Sequence, residues 1–349
     1  MRLKKFQKRL KQMQIPVAII LNINSINPNV LYLCGYRGHG ALIVPCNKKP
    51  FIIAGRRDYE KATKTHITAY KCENKLFDFL AQILRRKRLI SKKTGLDMAH
   101  LSLLNFTKLK KSVKAQYYDV SETCSELRMF KDDTEIRYIK KACSVTDKVF
   151  SRIVDNFNFK HENELKLFIE IEIKKKGCEL AFPPIVASGK SGSNPHYDES
   201  GRIKSGFLIL DFGAKYKDYC SDMTRTMYVG KPNIKEKRLY NLVKQIQEDC
   251  IKNIKENIEY SELANLAWNS FGKYKKYFIH GLGHGLGLEI HELPNINEEE
   301  RRKLKNHTVF TIEPGLYFKN RFGIRIEDTI LMSKRAITLT RSSKKLLVV

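Results

Sequence analysis

Four acidic residues stand where the surrounding pattern asks for apolar strand residues, and this limits the folds open to the chain more than any other feature. In "LILDFGAKYKDYCSDMTRTMYVG" (208–230), Asp211 ends an apolar strand, and Asp222 lies past the Gly213 turn, near the start of "MTRTMYV". In "VFTIEPGLYF" (309–318), Glu313 closes an apolar run just before Pro314 and Gly315. In "GIRIEDTILM" (323–332), Glu327 sits inside a strand that otherwise reads Ile324, Ile326 and Ile330. Burying an unpaired carboxylate costs several kcal/mol unless it is paired or bound to a metal. A local conflict of this kind marks either a functional position or an internal salt bridge. Two strands joined by a hairpin-like turn would set Asp211 beside Asp222, and a divalent cation would remove their repulsion. The plainer alternatives are a strand-end acid and a turn acid, each solvated, and for Glu327 a pair with Arg325 or another arginine.

Histidines supply the second half of the pattern. "HGLGHGLGLEIHE" (280–292) holds three of the nine in the chain. Its glycines disfavour a helix. In a strand, His280 and His284 share a face, and His291 points the other way unless the chain turns. A lone histidine in a sheet is more often a satisfied polar residue than a ligand. Four misplaced acids with one histidine are harder to set aside. An oxygen-rich set with a single imidazole suits manganese-like, cobalt or zinc ions, not a structural cysteine-type zinc site. Two such ions sharing five ligands would stand ~3.5 Å apart and could activate water at neutral pH.

Composition bounds the rest. The 349 residues suggest two domains of ordinary size, and a hydrophobic content of 42% is enough for real cores. No apolar run approaches the ~18 residues of a membrane span. The basic start "MRLKKFQKRLKQM" reads as an amphipathic helix, with Leu3, Phe6, Leu10 and Met13 on one face. The apolar run that follows, Val17 to Leu21, is too short for a signal peptide and has no small-residue cleavage site after it, so a mature, cytoplasmic chain is expected. None of the eight cysteines forms a C-x-x-C pair, and free thiols are the expectation. The net charge of +28 is spread as pairs and triplets, such as "RRKR" (85–88), without an aromatic-interleaved motif. It reads as a solvated surface, with no specific nucleic-acid partner and no membrane partner expected.

The first third alternates strand and helix signals. "NVLYLCGY", "GALIVP", "KPFIIAG", "HITAYKC" and "KTGLDM" read as strands, and residues 56–64, "KLFDFLAQILRRKRL" and "SLLNFTKLKKS" as helices. This predicts a small α/β domain over 1–125. From 126 to 349 the texture is α+β: helices from "DDTEIRYIKKACSVTDKVFSRIVDNF" and "ENELKLFIEIEIKKKG", strand–turn–strand at 206–230, helices at about 234–257 and 260–271, then strands and glycine turns.

At these residues the C-terminal half resembles the metallopeptidases of the pita-bread fold, the group that includes methionine aminopeptidase, Xaa-Pro aminopeptidase and prolidase. That family's metal ligands run Asp, Asp, His, Glu, Glu. Here "LDFGA" supplies Asp211, "SDMTRT" Asp222, "GHGLG" His284, "TIEPGLY" Glu313 and "RIEDT" Glu327. "NPHY" supplies His196 and "EIHE" His291, and His280 matches a histidine that often precedes the ligand by four. "YLCGYRGHGALIVP", "AGRRDYEKA", "TGLD" and "SELRMFKDDTEIRYIKKAC" resemble the N-terminal domain and junction of the proline-specific branch, the creatinase/prolidase-like α/β domain that methionine aminopeptidases lack.

The resemblance implies a metallopeptidase that hydrolyses the bond between an N-terminal residue and a following proline. Two divalent ions, Mn²⁺ before Co²⁺ or Zn²⁺, would be held by Asp211, Asp222, His284, Glu313 and Glu327. Glu313 would shuttle the proton. His291 and His196 would bind or polarise the substrate, with His280 and Arg325 supporting its binding. The expected partners are a peptide with proline at its second position and a second copy of the chain in a homodimer. A dipeptidase needs a cation for the carboxylate next to proline. Many family members supply a Pro-Arg after "HE", whereas this chain reads "HELPNIN" with Asn295 after Pro294. That favours an Xaa-Pro aminopeptidase over a prolidase. A metal-free binding module for protein or RNA is the remaining alternative, and such proteins usually lose ligands that are all present here.

Overall fold

Short apolar runs bounded by turns become strands in the first third of the chain, and in those at 17–22, 40–45 and 51–55 both faces are buried, which is why they read as continuous apolar stretches. In the computed structural model, which describes residues 2–349, the chain divides into two compact units, one ending at Arg128 and one spanning Met129–Val349. The first unit carries β1 (Val17–Asn22), β2 (Gly40–Pro45), β3 (Phe51–Gly55), β4 (Thr68–Cys72), β5 (Lys93–Leu96) and β6 (Gln116–Asp119) in the order β4-β3-β2-β1-β5-β6. Pairing is antiparallel for β1–β2 and β2–β3 and parallel elsewhere. Its helices are α1 (Arg2–Gln12), α2 (Pro28–Cys34), α3 (Tyr59–Thr63), α4 (Leu76–Arg86), α5 (Leu103–Ser112) and α6 (Ser121–Met129). Val17, Ile19 and Leu21 of β1 pack with Leu80 and Leu84 of α4 and Leu109 of α5. Phe6 and Leu10 of α1 are fully buried.

One segment read as a strand is a helix. "NVLYLC" is not a strand but most of α2. Asn27 caps it, accepting from the backbone N–H groups of Asn29 and Val30; Pro28 sits in the first turn; Gly35 at φ 70° ends it in the left-handed region. Local capping overrides the apolar run. The cap is itself anchored: Asn27 Nδ2 and Asn29 Nδ2 both donate to Asp97 Oδ2 at 2.9 Å, and His100 Nδ1 lies 3.0 Å from Asp97 Oδ1.

The second unit begins with α7 (Asp133–Asp155), started by an Asp132–Glu135 capping box, and α8 (Glu162–Lys175). Two further helices are α9 (Ile234–Lys252) and α10 (Tyr260–Ser270). Its strands are β7 (Glu179–Leu180), β8 (Ile185–Ser188), β9 (Gly206–Asp211), β10 (Ala214–Tyr216), β11 (Tyr219–Cys220), β12 (Thr224–Val229), β13 (Gly283–Gly285), β14 (Glu292–Ile296), β15 (Val309–Ile312), β16 (Gly315–Phe318), β17 (Phe322–Arg325), β18 (Asp328–Met332) and β19 (Ala336–Thr338). They form the sheets β12-β9-β8, β14-β13-β15-β18-β19, β11-β10-β7 and β16-β17. One core joins α7 and α8 to Leu208, Leu210 and Met227, and another joins α9 and α10 to Ile312, Leu316, Ile324 and Ile330. Glu327 is not inside a strand as expected: it lies in the break between β17 and β18, where the chain passes from one sheet to another. All eight cysteines are free thiols. Among the described residues no helix is long and apolar enough to cross a membrane.

Burial pushes the Asp97 carboxyl up, but hydrogen bonds from His100, Asn27 and Asn29 outweigh it and hold the group below the usual carboxylate range. A depressed carboxylate stabilises the fold above its unfolded pKa of ~3.9, and that stability is lost as pH falls through the lower folded value. Asp97→Asn is expected to lower the stability of the first unit by about 1–3 kcal/mol at pH 7 and to flatten its acid dependence, measured by urea unfolding at pH 7 and pH 3.

Candidate metal centre

Strand ends bring the acids together. Asp211 closes β9 and pairs in register with Thr224 at the start of β12, so Asp222, just upstream of β12, falls beside it. The connection is longer than a simple hairpin, because β10 and β11 fold back between the two acids. Thr329 Oγ1 donates to the Asp222 carbonyl at 2.7 Å. Glu313 follows β15 and its N–H donates to Leu282 O, at 2.8 Å. Glu327 N–H donates to Thr224 O, at 3.1 Å, and its Oε2 accepts from Thr224 Oγ1 at 2.7 Å.

His284 enters from β13, between β14 and β15. Its flanking glycines let those strands approach: a Cβ on Gly283 would lie 2.1 Å from Thr311 O, and one on Gly285 2.2 Å from Leu293 O. The His284 Nδ1 faces Gly285 O at 3.2 Å. A carbonyl only accepts, so Nδ1 carries the proton and Nε2 presents its lone pair. That Nε2 lies 3.3 Å from Glu313 Oε1 and 3.5 Å from Asp222 Oδ2. Ligand atoms of Asp222, His284 and Glu327 lie within 4.8 Å of one another. Asp211 Oδ1, Asp222 Oδ1 and Glu327 Oε1 are buried without a hydrogen-bond partner. Burial, then the charges of the neighbouring acids, push Asp222 and Glu327 well above the carboxylate range, and burial raises Glu313. Orphaned carboxylate oxygens around an imidazole lone pair fit a divalent cation, which would satisfy the oxygens and cancel the repulsion.

The remaining candidates share a cavity of ≈ 280 Å³ with these five, lined also by His196, His280, His291, Arg325, Phe182 and Ile185. His291 and His196 are exposed, and the His291 ring centroid lies 4.4 Å from that of His284. Arg325 is buried and already engaged: its Nη2 donates to Asp211 Oδ2 at 2.5 Å, Nη1 to the Tyr317 hydroxyl at 2.8 Å, and Nε to Thr224 Oγ1 at 3.0 Å. The sequence reading offered Arg325 as a salt-bridge partner for Glu327, but its carboxylate partner is Asp211. Because Tyr317 accepts from Arg325, its own proton points to His280 Nε2, 2.9 Å away. His280 Nε2 is therefore the unprotonated nitrogen, and Nδ1 donates to Gly281 O at 2.7 Å.

Sequence reasoning missed Tyr317, Thr224 and Thr311, whose Oγ1 donates to Glu313 Oε1 at 3.2 Å. A signal for Tyr317 existed: a tyrosine in the apolar stretch "GLYF" must find a partner for its hydroxyl. Also missed was the support behind the acids. Arg225, 1% exposed, donates to the carbonyls of Thr224 and Glu327 and to Asp328 Oδ1 at 2.6 Å. Asp328 also accepts from Thr340, Gln247 and Lys344. Breaking such a buried pair costs about 3–5 kcal/mol, so the strand ends that carry Asp211 and Glu327 stand on a rigid base.

Comparison with known proteins agrees with this geometry. Residues 137–334 match the metallopeptidase family M24, and residues 2–130 match the creatinase/prolidase N-terminal domain. The chain is 35% identical to the Xaa-Pro dipeptidase of Pyrococcus furiosus, over 91% of this chain and 92% of that protein. Its structure is similar to that of the Xaa-Pro dipeptidase from Bacillus anthracis, with a TM-score of 0.93 and 29% identity over 100% and 99% of the two chains. It is also similar to the X-Pro aminopeptidase from Thermotoga maritima, with a TM-score of 0.88 and 28% identity over 98% and 100%. With the fold, the buried acids and both domain matches in agreement, the chain belongs to metallopeptidase family M24, in its prolidase and Xaa-Pro peptidase branch, and is a metallopeptidase with a creatinase-type N-terminal domain and a pita-bread catalytic domain.

Proposed function

We propose that this metallopeptidase hydrolyses the peptide bond between an N-terminal residue and a following proline, acting as an Xaa-Pro aminopeptidase. The observation that carries the reading is the set of three buried, unpartnered carboxylate oxygens, on Asp211, Asp222 and Glu327, in the one cavity that His284 also lines. Asp211, Asp222, His284, Glu313 and Glu327 would hold two divalent cations, manganese first among them. When bound, those ions supply Lewis-acid activation of water and of the scissile carbonyl. The side chains do the rest. Glu313, whose carboxyl burial makes more basic, takes the proton from the attacking water and returns it to the departing proline nitrogen. His291 and His196, at the exposed side of the cavity, orient the carbonyl and donate to the oxygen as negative charge develops on it. The tertiary amide before proline offers no N–H, so recognition falls on the carbonyl and the ring, and the cavity presents Phe182, Ile185 and Ile290 to the latter.

Cation supply favours the aminopeptidase. Arg325 is the one arginine or lysine among the described residues lining the cavity, and its guanidinium is engaged with Asp211, Tyr317 and Thr224. A dipeptide's carboxylate would have to compete for it. Dipeptide hydrolysis is the second reading, favoured by the Xaa-Pro dipeptidases among its relatives.

Purified protein with Mn²⁺ is expected to release the first residue from a longer Xaa-Pro peptide, and more slowly from Gly-Pro. No release from either with metal bound would refute the enzyme reading, and cleavage of Gly-Pro alone would establish the dipeptidase. His291→Ala should lower kcat by roughly 10²–10³-fold, as loss of one donor to a developing oxyanion does, with metal content unchanged by elemental analysis. Asp222→Asn should abolish turnover and lower bound metal. Because it removes a charge from a crowded buried set, it should also raise the Tm of the chelator-treated protein. Wild-type protein should gain about 2.7 kcal/mol of stability at a metal concentration a hundred times its Kd, and the variant should lose most of that gain.

A further inference from the structure

We propose that Glu162 is a positioning residue for His196: one buried carboxylate ties together both ends of the loop that carries this histidine. Glu162 begins α8 and is 1% exposed. Its Oε1 accepts from both the N–H and the Oγ–H of Ser188, each at 2.7 Å, and its Oε2 accepts from Gly201 N–H, also at 2.7 Å. Its own N–H donates to Gly201 O at 2.9 Å. Ser188 ends β8 and Gly201 lies shortly before β9, so the loop leaves and returns at a single side chain. Secondary ties close the same ring: Lys204 N–H donates to Ser188 Oγ at 3.0 Å, and Ile203 N–H to Lys160 O at 2.9 Å.

Within the loop, Asn194 Oδ1 accepts from His196 N–H at 3.1 Å, and Ser193 Oγ accepts from Asn320 N–H at 3.2 Å. The loop is therefore pinned at its ends and braced near its middle, and the exposed imidazole is left free to meet a ligand. A buried carboxylate is tolerated only when its lone pairs are used, and here three short donors use them. Fixing both ends of a segment of this length removes most of the freedom that would spread His196 over many positions. This inference rests on the proposed role of His196 in substrate binding.

Glu162→Gln separates the clamp from mere packing. The amide keeps the shape, and its oxygen can still serve Ser188, but its NH₂ then faces the Gly201 N–H, donor against donor. Hydrogen exchange across residues 189–203 is expected to quicken by about tenfold or more, as loss of a charge-assisted hydrogen bond of more than ~1.4 kcal/mol implies, while α9 and α10 keep their protection. With an Xaa-Pro peptide, kcat/KM should fall by a similar factor, bound metal should not change, and the loss should largely vanish in a His196→Ala background, because contacts acting through one residue are not additive. Ser188→Ala removes one donor to Glu162 and the acceptor for Lys204 N–H but leaves the charge and the Gly201 tie, and should show the same pattern if Glu162→Gln folds poorly. Unchanged exchange, or an equal loss of kcat/KM with and without His196, overturns the proposal. A wild-type protein that cleaves no Xaa-Pro peptide refutes the functional reading instead. The clamp is then decided by exchange alone: faster exchange confined to 189–203 supports it, and unchanged exchange overturns it.

Discussion

Carboxylates brought together away from water repel one another, and the second unit is arranged around making that repulsion tolerable. Asp211 is neutralised directly by Arg325, and Glu327 and Glu313 are each steadied by a threonine hydroxyl. What these contacts leave over is concentrated on one side: orphaned oxygens and the His284 lone pair, which converge on a region that a doubly charged cation would stabilise. The residual instability of the metal-free protein and its affinity for metal are two aspects of the same electrostatics.

This arrangement needs strand ends that do not drift. The Arg225–Asp328 pair, with Gln247, Thr340 and Lys344 around it, sits behind the acids and holds the carbonyls of Thr224 and Glu327. The acidic side chains therefore project from backbone that is fixed by its own buried network. Arg325 couples this platform to His280, because the same guanidinium that neutralises Asp211 orients Tyr317, and Tyr317 in turn fixes the tautomer of His280. Most of the positive charge of the chain has no part in this: of its lysines and arginines among the described residues only Arg325 lines the cavity, among acids and imidazoles.

Much of the fold could be read along the chain. The helices at α4, α5, α7 and α8 follow from apolar periodicity and capping, and β2, β3 and β9 from short apolar runs between turns. The α2 segment could not be read from its apolar residues alone; its Asn-Pro start and Gly35 end carried the helix signal, and that signal outweighs an ambiguous run of seven residues. Glu327 was noticed because an acid breaks an apolar pattern, yet the pattern spans two strands of different sheets, and periodicity cannot see a change of sheet.

The sequence by itself determined which residues are candidates for the chemistry, because an acid that interrupts an apolar strand is conspicuous in one dimension, as Asp211, Asp222, Glu313 and Glu327 are, and so is a dense histidine–glycine run such as His280–His291. Only the tertiary structure decided what each of them faces. Arg325 could have served Glu327 or a substrate carboxylate, and it serves Asp211. Glu162 looks like any acid in the first turn of a helix, and it proves to be the knot of the His196 loop. Pairings of this kind join residues far apart along the chain, and hydrogen-bond partners at such separations are set by how the strands and loops pack, which no local pattern encodes.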